Sequence, residues 1–372
     1  MSIKKMRVAV IGTGMIANSA HMPAYRHISD LVEVVACADI REDAVRETAE
    51  RYGIPKYYTD PQKMLDEVKP DLVSVCTPNN YHKEWAIAAL RAGANVACEK
   101  PIAVKYADAL EMYAEAEKAG KLLIPCQSMR FSDEKMAAKK IAETGRLGQV
   151  YFGDLSAVRR RGVPTWGMFH MKEHNAGGPF CDLGVHIIDT FLWIAGNPKL
   201  ESVTGRAWTK IANTQEDIET SLVDSGAPGG TFTPRPYDYH EFNVEDFSAG
   251  TIKFENELLV NFKFSWAVNM PNSLGLTISG TNAGMLTNPL VILTNLDHHQ
   301  AEIKPTVMRH ADYGTAPFSG HKWLFEHIQD ILRNGAEPII KKEEALNVVA
   351  VIEAFYLSSE YNREIRFSEI IK

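Results

Sequence analysis

The chain has 372 residues, 45% of them hydrophobic and 23% charged, with a formal net charge of −7 and five cysteines. This length suits two domains. The acidic balance argues against a nucleic-acid partner, because contact with phosphates needs a basic face. No apolar run has the roughly 18 residues of a membrane span, and the first residues lack a signal peptide's apolar core. With no Cys-x-x-Cys, the sequence predicts a cytoplasmic protein with reduced cysteines and no metal site.

The first third of the chain alternates between short apolar runs and amphipathic stretches. The apolar runs are typical of buried parallel strands, and the stretches between them predict helices, several ending in glycine. Strands separated by such helices predict a parallel, doubly wound sheet. The predicted strands are residues 8–11, 32–38, 72–76, 95–98 and 122–125, and the helices are 16–27, 41–52, 61–67, 81–92 and 106–119.

Beyond residue 149 alternating strand-like runs dominate, at 150–158, 202–209, 250–254, 258–267 and 274–280. They predict an open, mainly antiparallel sheet. Residues 213–243, rich in Gly, Pro, Thr and Asp, predict a long surface loop, and helices are predicted at 133–144, 321–333 and 343–360. The predicted fold class is α/β, with a doubly wound dinucleotide-binding domain at 1–128. An α+β domain follows at 129–372, and its last helices can pack back on the first domain.

The first predicted strand leads directly into a Gly-x-Gly-x-x-Ala sequence. Gly12 permits a tight turn, Gly14 lets the backbone approach a phosphate, and Ala17 keeps the next helix close to the strand. The helix N-terminus then offers unpaired N–H groups to a pyrophosphate. Asp39 closes the second strand, where a carboxylate binds ribose hydroxyls, so NAD is expected; Arg41 leaves NADP open. The alternative is an ordinary glycine turn with a solvent-facing Asp39.

Two more motifs follow strands at the same predicted sheet edge. The Glu-Lys-Pro sequence at 99–101 places Lys100 where ligands bind in parallel sheets, and its ammonium can stabilise an alkoxide. The Thr-Pro-Asn sequence at 77–79, followed by His82, is expected to flank the cofactor. The alternatives are a surface turn at Lys100, and an asparagine that caps the next helix beside an exposed His82.

A fourth motif covers residues 177–189, Gly-Gly-Pro-Phe-Cys-Asp-Leu-Gly-Val-His-Ile-Ile-Asp. If a helix begins near Asp182, then Asp182, His186 and Asp189 share one face. A carboxylate one turn from an imidazole can orient it and support the imidazolium that forms when His186 accepts a proton. The alternatives are a helix-capping aspartate with a core histidine, and a metal site made with His174.

Together these motifs resemble the glucose–fructose oxidoreductase / inositol dehydrogenase / rhizopine-catabolism (Gfo/Idh/MocA) family. The resemblance implies an N-terminal Rossmann domain, an NAD(P) cofactor, and an open sheet that often forms the oligomer interface. It implies that Lys100, Asp182 and His186 are catalytic and that no metal takes part. The cofactor-binding residues it implies are Gly12, Thr13, Gly14, Met15, Ile16, Asp39, Ile40, Thr77, Pro78, Asn79, His82, Glu99 and Lys100.

The segments 160–167 and 244–246 resemble scyllo-inositol, L-glucose and levoglucosan dehydrogenase-like members of the family. The substrate-binding residues that follow are Arg161, Trp166 and His174, with Lys100, Asp182 and His186. Trp166 would stack on a sugar ring and Arg161 or His174 would bind hydroxyls; core packing for Trp166 and a surface position for Arg161 are the alternatives.

The predicted activity is hydride transfer between nicotinamide and a secondary hydroxyl of a neutral sugar, sugar derivative or cyclitol. Two other functions stay open: a redox-cycling glycoside lyase or glycosidase, and a non-catalytic dinucleotide sensor. The apolar strand at 258–264 predicts an uncovered sheet face and hence a homodimer or homotetramer.

Overall fold

In the computed structural model, which describes residues 4–214, 233–307 and 319–371, the N-terminal third forms a six-stranded parallel sheet. The strand order is β3-β2-β1-β4-β5-β6, as in a doubly wound dinucleotide-binding fold. All five predicted strands are present, and only the two-residue β3 was missed. The strands are β1 (Met6–Ile11), β2 (Val32–Ala38), β3 (Tyr57–Tyr58), β4 (Leu72–Val75), β5 (Asn95–Cys98) and β6 (Leu123–Pro125).

Helices flank this sheet and end where their sequences predict. Gly53 and Gly120 adopt φ of +67° and +61° and terminate the second and fifth helices, a conformation that favours glycine. Asp60 caps the third helix by accepting hydrogen bonds from two backbone amides. The helices are α1 (Met22–His27, after a π-helical turn at Ala17–His21), α2 (Glu42–Tyr52), α3 (Pro61–Val68), α4 (His82–Arg91) and α5 (Tyr106–Ala119).

The rest of the described chain builds a nine-stranded sheet in the order β14-β13-β12-β11-β7-β10-β9-β8-β15. Its pairs are antiparallel except for β7 and β10, which confirms the mainly antiparallel prediction. The strands are β7 (Val150–Val158), β8 (Leu200–Trp208), β9 (Phe247–Phe254), β10 (Leu259–Ser265), β11 (Ser273–Gly280), β12 (Gly284–Thr287), β13 (Leu290–Leu296), β14 (His299–Ile303) and β15 (Ile365–Arg366). The helices are α6 (Asp133–Glu143), α7 (Lys172–Asn175), α8 (Val185–Ile194), α9 (Ser319–Asn334) and α10 (Lys342–Tyr361).

Strand β10 shows how this sheet divides its two faces. Val260, Phe262 and Phe264 point inward against α8 and α10 and are buried. Leu259 and Lys263 alternate with them and are half-exposed. The outward side of β10 is therefore less apolar than the sequence of residues 258–264 suggested, because most of the apolar side chains of this strand point into the core.

The C-terminal helices connect the two sheets. Helix α9 packs Leu324, Phe325 and Ile328 into the core beneath the first sheet, where the Phe325 and Tyr25 rings lie 4.5 Å apart. Arg130, fully buried after β6, forms ion pairs with Asp189 of α8 and with Glu344 of α10. These contacts hold α8 against the end of the first sheet.

The predicted loop at 213–243 lies largely outside the described residues; its last part contains a single 3-10 turn at Tyr239–Glu241. Within the described ranges, no helix combines the length and the apolar character that crossing a membrane requires.

Candidate functional site

A cavity of about 810 Å³ lies between the C-terminal edge of the first sheet and the loops of the second. Every residue assigned to the cofactor from the sequence lines this cavity, and so do Lys100, Trp166, His174, Asp182 and His186. Five chain segments, at 12–16, 39–40, 77–82, 99–100 and 166–186, thus meet at one site.

The glycine-rich loop has the geometry that a phosphate requires. Gly12 adopts φ of +89°, and a Cβ there would lie 2.7 Å from the backbone carbon and oxygen of Cys76, so the turn tolerates only glycine. Gly14 faces open space. The Asn18 side chain donates to the carbonyls of Thr13 and Gly14 at 2.7 and 3.0 Å and fixes the loop. This role of Asn18 was not predicted from the sequence, because no local pattern marks an asparagine that donates hydrogen bonds to the preceding loop.

Asp39 ends strand β2 beside this loop. Its carboxylate accepts hydrogen bonds from the Thr13 amide at 2.7 Å and from the Arg41 amide at 2.9 Å. The Arg41 guanidinium pairs with Asp43, on the exposed surface. Ile40, 77% exposed, lies at the rim of the cavity. A carboxylate and an exposed apolar side chain therefore stand where the ribose and the base of a dinucleotide would bind.

The loop after β4 has a buried polar atom available to a ligand. Thr77 Oγ1 is buried and has no hydrogen-bond partner among the described residues. Together with the open space at Gly14, this atom fits a bound dinucleotide, since buried polar groups normally find partners.

His82 lines the cavity, yet both of its ring nitrogens face backbone carbonyls. Nδ1 lies 2.7 Å from the oxygen of Pro101, and Nε2 lies 2.8 Å from the oxygen of Thr77. Burial lowers the pKa of His82, although both hydrogen bonds oppose this effect. His82 thus joins two cavity loops rather than presenting a free nitrogen to a ligand.

The asparagines after Pro78 do not cap the next helix as one alternative expected. Asn79 donates to the carbonyl of Asn175 at 3.1 Å, and Asn80 donates to the carbonyls of Lys172 and Glu173. The loop after β4 therefore holds α7 of the second domain over the cavity.

Lys100 and Asp182 form a nearly buried ion pair at the centre of the cavity. Lys100 Nζ lies 3.2 Å from Asp182 Oδ1 and donates to the Asp182 carbonyl at the same distance. Trp266 Nε1 donates to the other carboxylate oxygen at 3.2 Å. Burial alone would raise the pKa of Asp182, but the charges of Lys100 and Arg159 outweigh it and lower the pKa. Asp182 is thus an anion that keeps Lys100 in place.

His186 lies in the first turn of α8, which directly follows a π-helical turn at Phe180–Gly184. Its Nδ1 is buried and has no partner among the described residues. The predicted orienting bond from Asp182 is absent there, because Lys100 and Trp266 use the Asp182 carboxylate oxygens. Burial and the charge of Lys100 lower the pKa of His186 to about 3. The imidazole is therefore neutral at physiological pH.

Asp189, predicted on the same helix face, does not join the site. Its two carboxylate oxygens accept hydrogen bonds from Arg130 at 2.6 and 2.8 Å in the core. This side chain anchors α8 and takes no part in the cavity wall.

Arg161, assigned to the substrate from the sequence, does not line this cavity. Its guanidinium donates to the carbonyls of Arg160 and Val268 and to the side chain of Asn269, outside the cavity wall. Arg159 lines the cavity instead, close enough to Asp182 to interact with its charge. Three consecutive arginines gave no local signal for which one faces inward, and the contacts of Arg161 with Val268 and Asn269 hold its side chain away from the cavity.

The other two residues assigned to the substrate lie at the cavity wall. Trp166 is 6% exposed and packs edge-to-face on Phe169, so it combines core packing with a surface towards the cavity. His174 Nδ1 lies 2.9 Å from the hydroxyl of Tyr81. Phe169 and Tyr81 also line the cavity.

Glu245 fixes the turn that leads into Asp182 and His186. Its buried carboxylate accepts hydrogen bonds from the amides of Gly178 and Phe180, at 2.9 and 3.1 Å, and from the hydroxyl of Tyr356 at 2.9 Å. A Cβ on Gly178 would lie 2.0 Å from the Glu245 carbonyl oxygen, so the close approach of these two segments needs glycine.

Comparison with known proteins accounts for this combination of features. A family model described as the oxidoreductase family with an NAD-binding Rossmann fold matches residues 6–126. A model of the GFO/IDH/MocA C-terminal domain matches residues 136–286.

The chain is 33% identical over 364 residues to D-glucoside 3-dehydrogenase of Escherichia coli strain K12, covering 97% of each chain. It is 32% identical over 191 residues to myo-inositol 2-dehydrogenase of Thermotoga maritima, covering 51% of this chain and 55% of that protein. Levoglucosan dehydrogenase in complex with NADH and levoglucosan shares the fold, with a TM-score of 0.80 and 18% identity over 98% of this chain and 100% of that one. The chain therefore belongs to the Gfo/Idh/MocA family of oxidoreductases, and its N-terminal domain is the NAD-binding Rossmann fold of that family.

Proposed function

We propose that this protein is an NAD-dependent dehydrogenase that oxidises a secondary hydroxyl of a neutral sugar, preferably a glycoside. The observation that carries the proposal is the placement of Lys100, Asp182 and His186 in one cavity with the glycine-rich loop. The 33% identity to D-glucoside 3-dehydrogenase over nearly the whole chain supports a glucoside.

The chain's own residues handle the proton of the reacting hydroxyl. When bound, the nicotinamide of NAD⁺ accepts a hydride from the carbinol carbon. The Lys100 ammonium, held by Asp182, stabilises the negative charge that develops on the hydroxyl oxygen. His186 Nδ1 is buried, so the imidazole meets the substrate through Nε2 and accepts the proton there. The Asp182 charge favours the imidazolium that forms.

The surroundings suit an uncharged ring. Asp182 and Glu99 together offset the positive charges of Lys100 and Arg159 at this end of the cavity. Trp166 and Phe169 offer aromatic surface for a sugar ring, and His174 offers a ring nitrogen to a hydroxyl. A phosphate or carboxylate would find little uncompensated positive charge here.

The test is a panel of unphosphorylated glucosides, aldohexoses and inositols, screened for NAD⁺ reduction at mildly alkaline pH. The Lys100→Met variant is expected to lose at least a hundredfold in kcat, in line with the effect of one positioned electrostatic or proton-transfer group, while still binding NADH. Arg161→Met is the matched control, since Arg161 lies outside the cavity, and should keep wild-type turnover. Near-normal turnover of Lys100→Met, or turnover with only charged sugars, would reject the proposal.

A redox-cycling lyase or glycosidase would use the same three residues. The two activities separate by stoichiometry: a dehydrogenase accumulates one NADH per product, whereas a redox-cycling enzyme releases product without net NADH. A sensor would show neither.

The proposal also covers the oligomeric state and the cellular compartment of the protein. Exposed apolar side chains on the second sheet, Leu274 of β11 and Leu293 of β13, support a homodimer or homotetramer formed through this sheet. All five cysteines are buried and unpaired, which suits the reducing cytoplasm.

A further inference from the structure

A buried cluster of two histidines and a glutamate lies directly behind Lys100. Glu99 Oε1 accepts hydrogen bonds from Nε2 of His21 at 2.9 Å and from Nε2 of His321 at 3.1 Å. Glu99 Oε2 accepts one from the Lys100 amide at 3.2 Å. His21 is 0%, His321 3% and Glu99 4% exposed. Helix α9 supplies His321, so the C-terminal part of the chain completes a cluster in the first domain.

The hydrogen bonds define where the protons are. A carboxylate only accepts, so both histidines donate through Nε2 and both can be neutral while Glu99 is ionised. His21 Nδ1 then accepts from Ser74 Oγ at 3.0 Å, which in turn accepts from the hydroxyl of Tyr25 at 2.5 Å. Each hydrogen-bond donor in this series, from Tyr25 through Ser74 and His21 to Glu99, therefore has an acceptor. The cluster carries a net charge of −1.

Electrostatics agree with this assignment. Burial alone would raise the pKa of Glu99, but its hydrogen bonds to His21 and His321 outweigh burial and hold the pKa well below its usual range. Burial lowers the pKa of His21. Cys126 lies beside Glu99, and burial raises the pKa of its thiol, which stays neutral.

The charge of Glu99 matters because of its neighbours in the cavity wall. Lys100 and Arg159 contribute two positive charges at this end and Asp182 one negative charge. Without Glu99 the sum would be positive and would repel a pyridinium ring. Glu99 and His321 both line the cavity.

We propose that His21 and His321 are positioning residues that keep Glu99 ionised beside the nicotinamide end of the cavity, and that this charge makes the protein favour NAD⁺ over NADH. The inference rests on the part of the proposed function that places the nicotinamide beside Lys100, and not on the identity of the sugar.

The test compares His321→Leu with His321→Gln. Leucine removes the donor to Glu99, while the uncharged glutamine amide can still donate from the position of Nε2. The dissociation constants of NAD⁺ and NADH are measured by quenching of tryptophan fluorescence without any sugar. For His321→Leu we expect the ratio Kd(NAD⁺)/Kd(NADH) to rise about tenfold, the scale of losing one unit charge in a partly desolvated site. Glu99→Gln should give the same rise.

His321→Gln should stay within about threefold of the wild type, as donation is retained. His327→Gln is the matched control: His327 lies on the same helix and accepts from the Ile339 amide, away from Glu99. Its ratio should not change. An unchanged ratio in Glu99→Gln, or an equal rise in both His321 variants, would overturn the proposal.

A metal ion bound at this cluster is the remaining alternative, and the metal content of the protein tests it. Among the described residues, His21, Glu99 and Cys126 are the group whose ligand atoms lie close enough, within 4.8 Å, to hold an ion. Elemental analysis of the purified protein should find less than a tenth of an equivalent of zinc, by our order-of-magnitude criterion for an unoccupied site. About one equivalent would overturn the charge assignment, because the ion would neutralise Glu99. If no neutral sugar in the panel is oxidised, the proposed function is rejected, but the expected values of Kd(NAD⁺)/Kd(NADH) do not change.

Discussion

The Glu245→Gln variant tests whether one buried carboxylate positions the catalytic turn. The change is nearly isosteric, but one carboxylate oxygen becomes an amide nitrogen that cannot accept a hydrogen bond. Glutamine can keep its oxygen on Phe180 and Tyr356, while the amide of Gly178, 2.9 Å from the other oxygen, loses its acceptor. The N–H of Gly178 then faces an NH₂ group.

The size of the effect follows from the charge of the lost partner. A hydrogen bond to a charged group contributes about 1.5–3 kcal/mol. Burial raises the pKa of Glu245, which shows that ionising it is costly, so removing the charge returns part of this energy. We expect a net loss of about 2 kcal/mol, or about 4–8 °C in Tm. Asp182 and His186 follow the turn, so kcat should fall about tenfold or more.

Thermal unfolding and steady-state kinetics measure the two effects. Tyr356→Phe is the companion variant, because it removes only the hydroxyl that donates to Glu245 and should cost about 1 kcal/mol. The double variant should cost less than the sum, since the two groups share a hydrogen bond. A Tm within about 1 °C of the wild type together with an unchanged kcat would refute the role given to Glu245.

Three further predictions follow from the site and the second sheet. Burial, with the charge of Lys100, lowers the pKa of His186 to about 3, so the folded protein leaves it neutral while the unfolded chain protonates it below about 6.5. Stability should therefore fall on acidification between these values by about 1.4 kcal/mol per pH unit from this residue. Urea unfolding at pH 7, 6 and 5 should show a shallower loss in His186→Gln, and equal slopes would contradict the assignment. Asp39→Ala should raise the relative use of NADP(H), because the carboxylate repels a 2′-phosphate; tighter binding of NADPH than NADH by the wild type would count against it. Light scattering should give a multiple of the 41.5 kDa chain mass, and a monomer at micromolar concentration would disprove the oligomer.

Local sequence determined the strands of the first sheet and identified the glycine-rich loop as the dinucleotide-binding loop. Apolar runs, helix-ending glycines and the spacing of Gly12, Gly14 and Asp39 are short-range signals, because strand burial, positive φ and close backbone approach act over a few residues. Lys100 and His186 were found the same way, from motifs at the end of a strand and the start of a helix.

Tertiary structure alone decided which side chains act together. Arg161 is held outside the cavity wall by hydrogen bonds to Val268 and Asn269, more than a hundred residues away, and Arg159 lines the wall. The partners of Asp182 are Lys100 and Trp266 rather than the nearby His186, because packing sets which donors its oxygens meet. The resemblance at 244–246 marked the segment of Glu245 but not its partners, and His321 carried no local signal, since a buried charge is stable only where distant donors converge on it. The sequence alone determined that a dinucleotide site exists, and the fold decided how its charges are balanced.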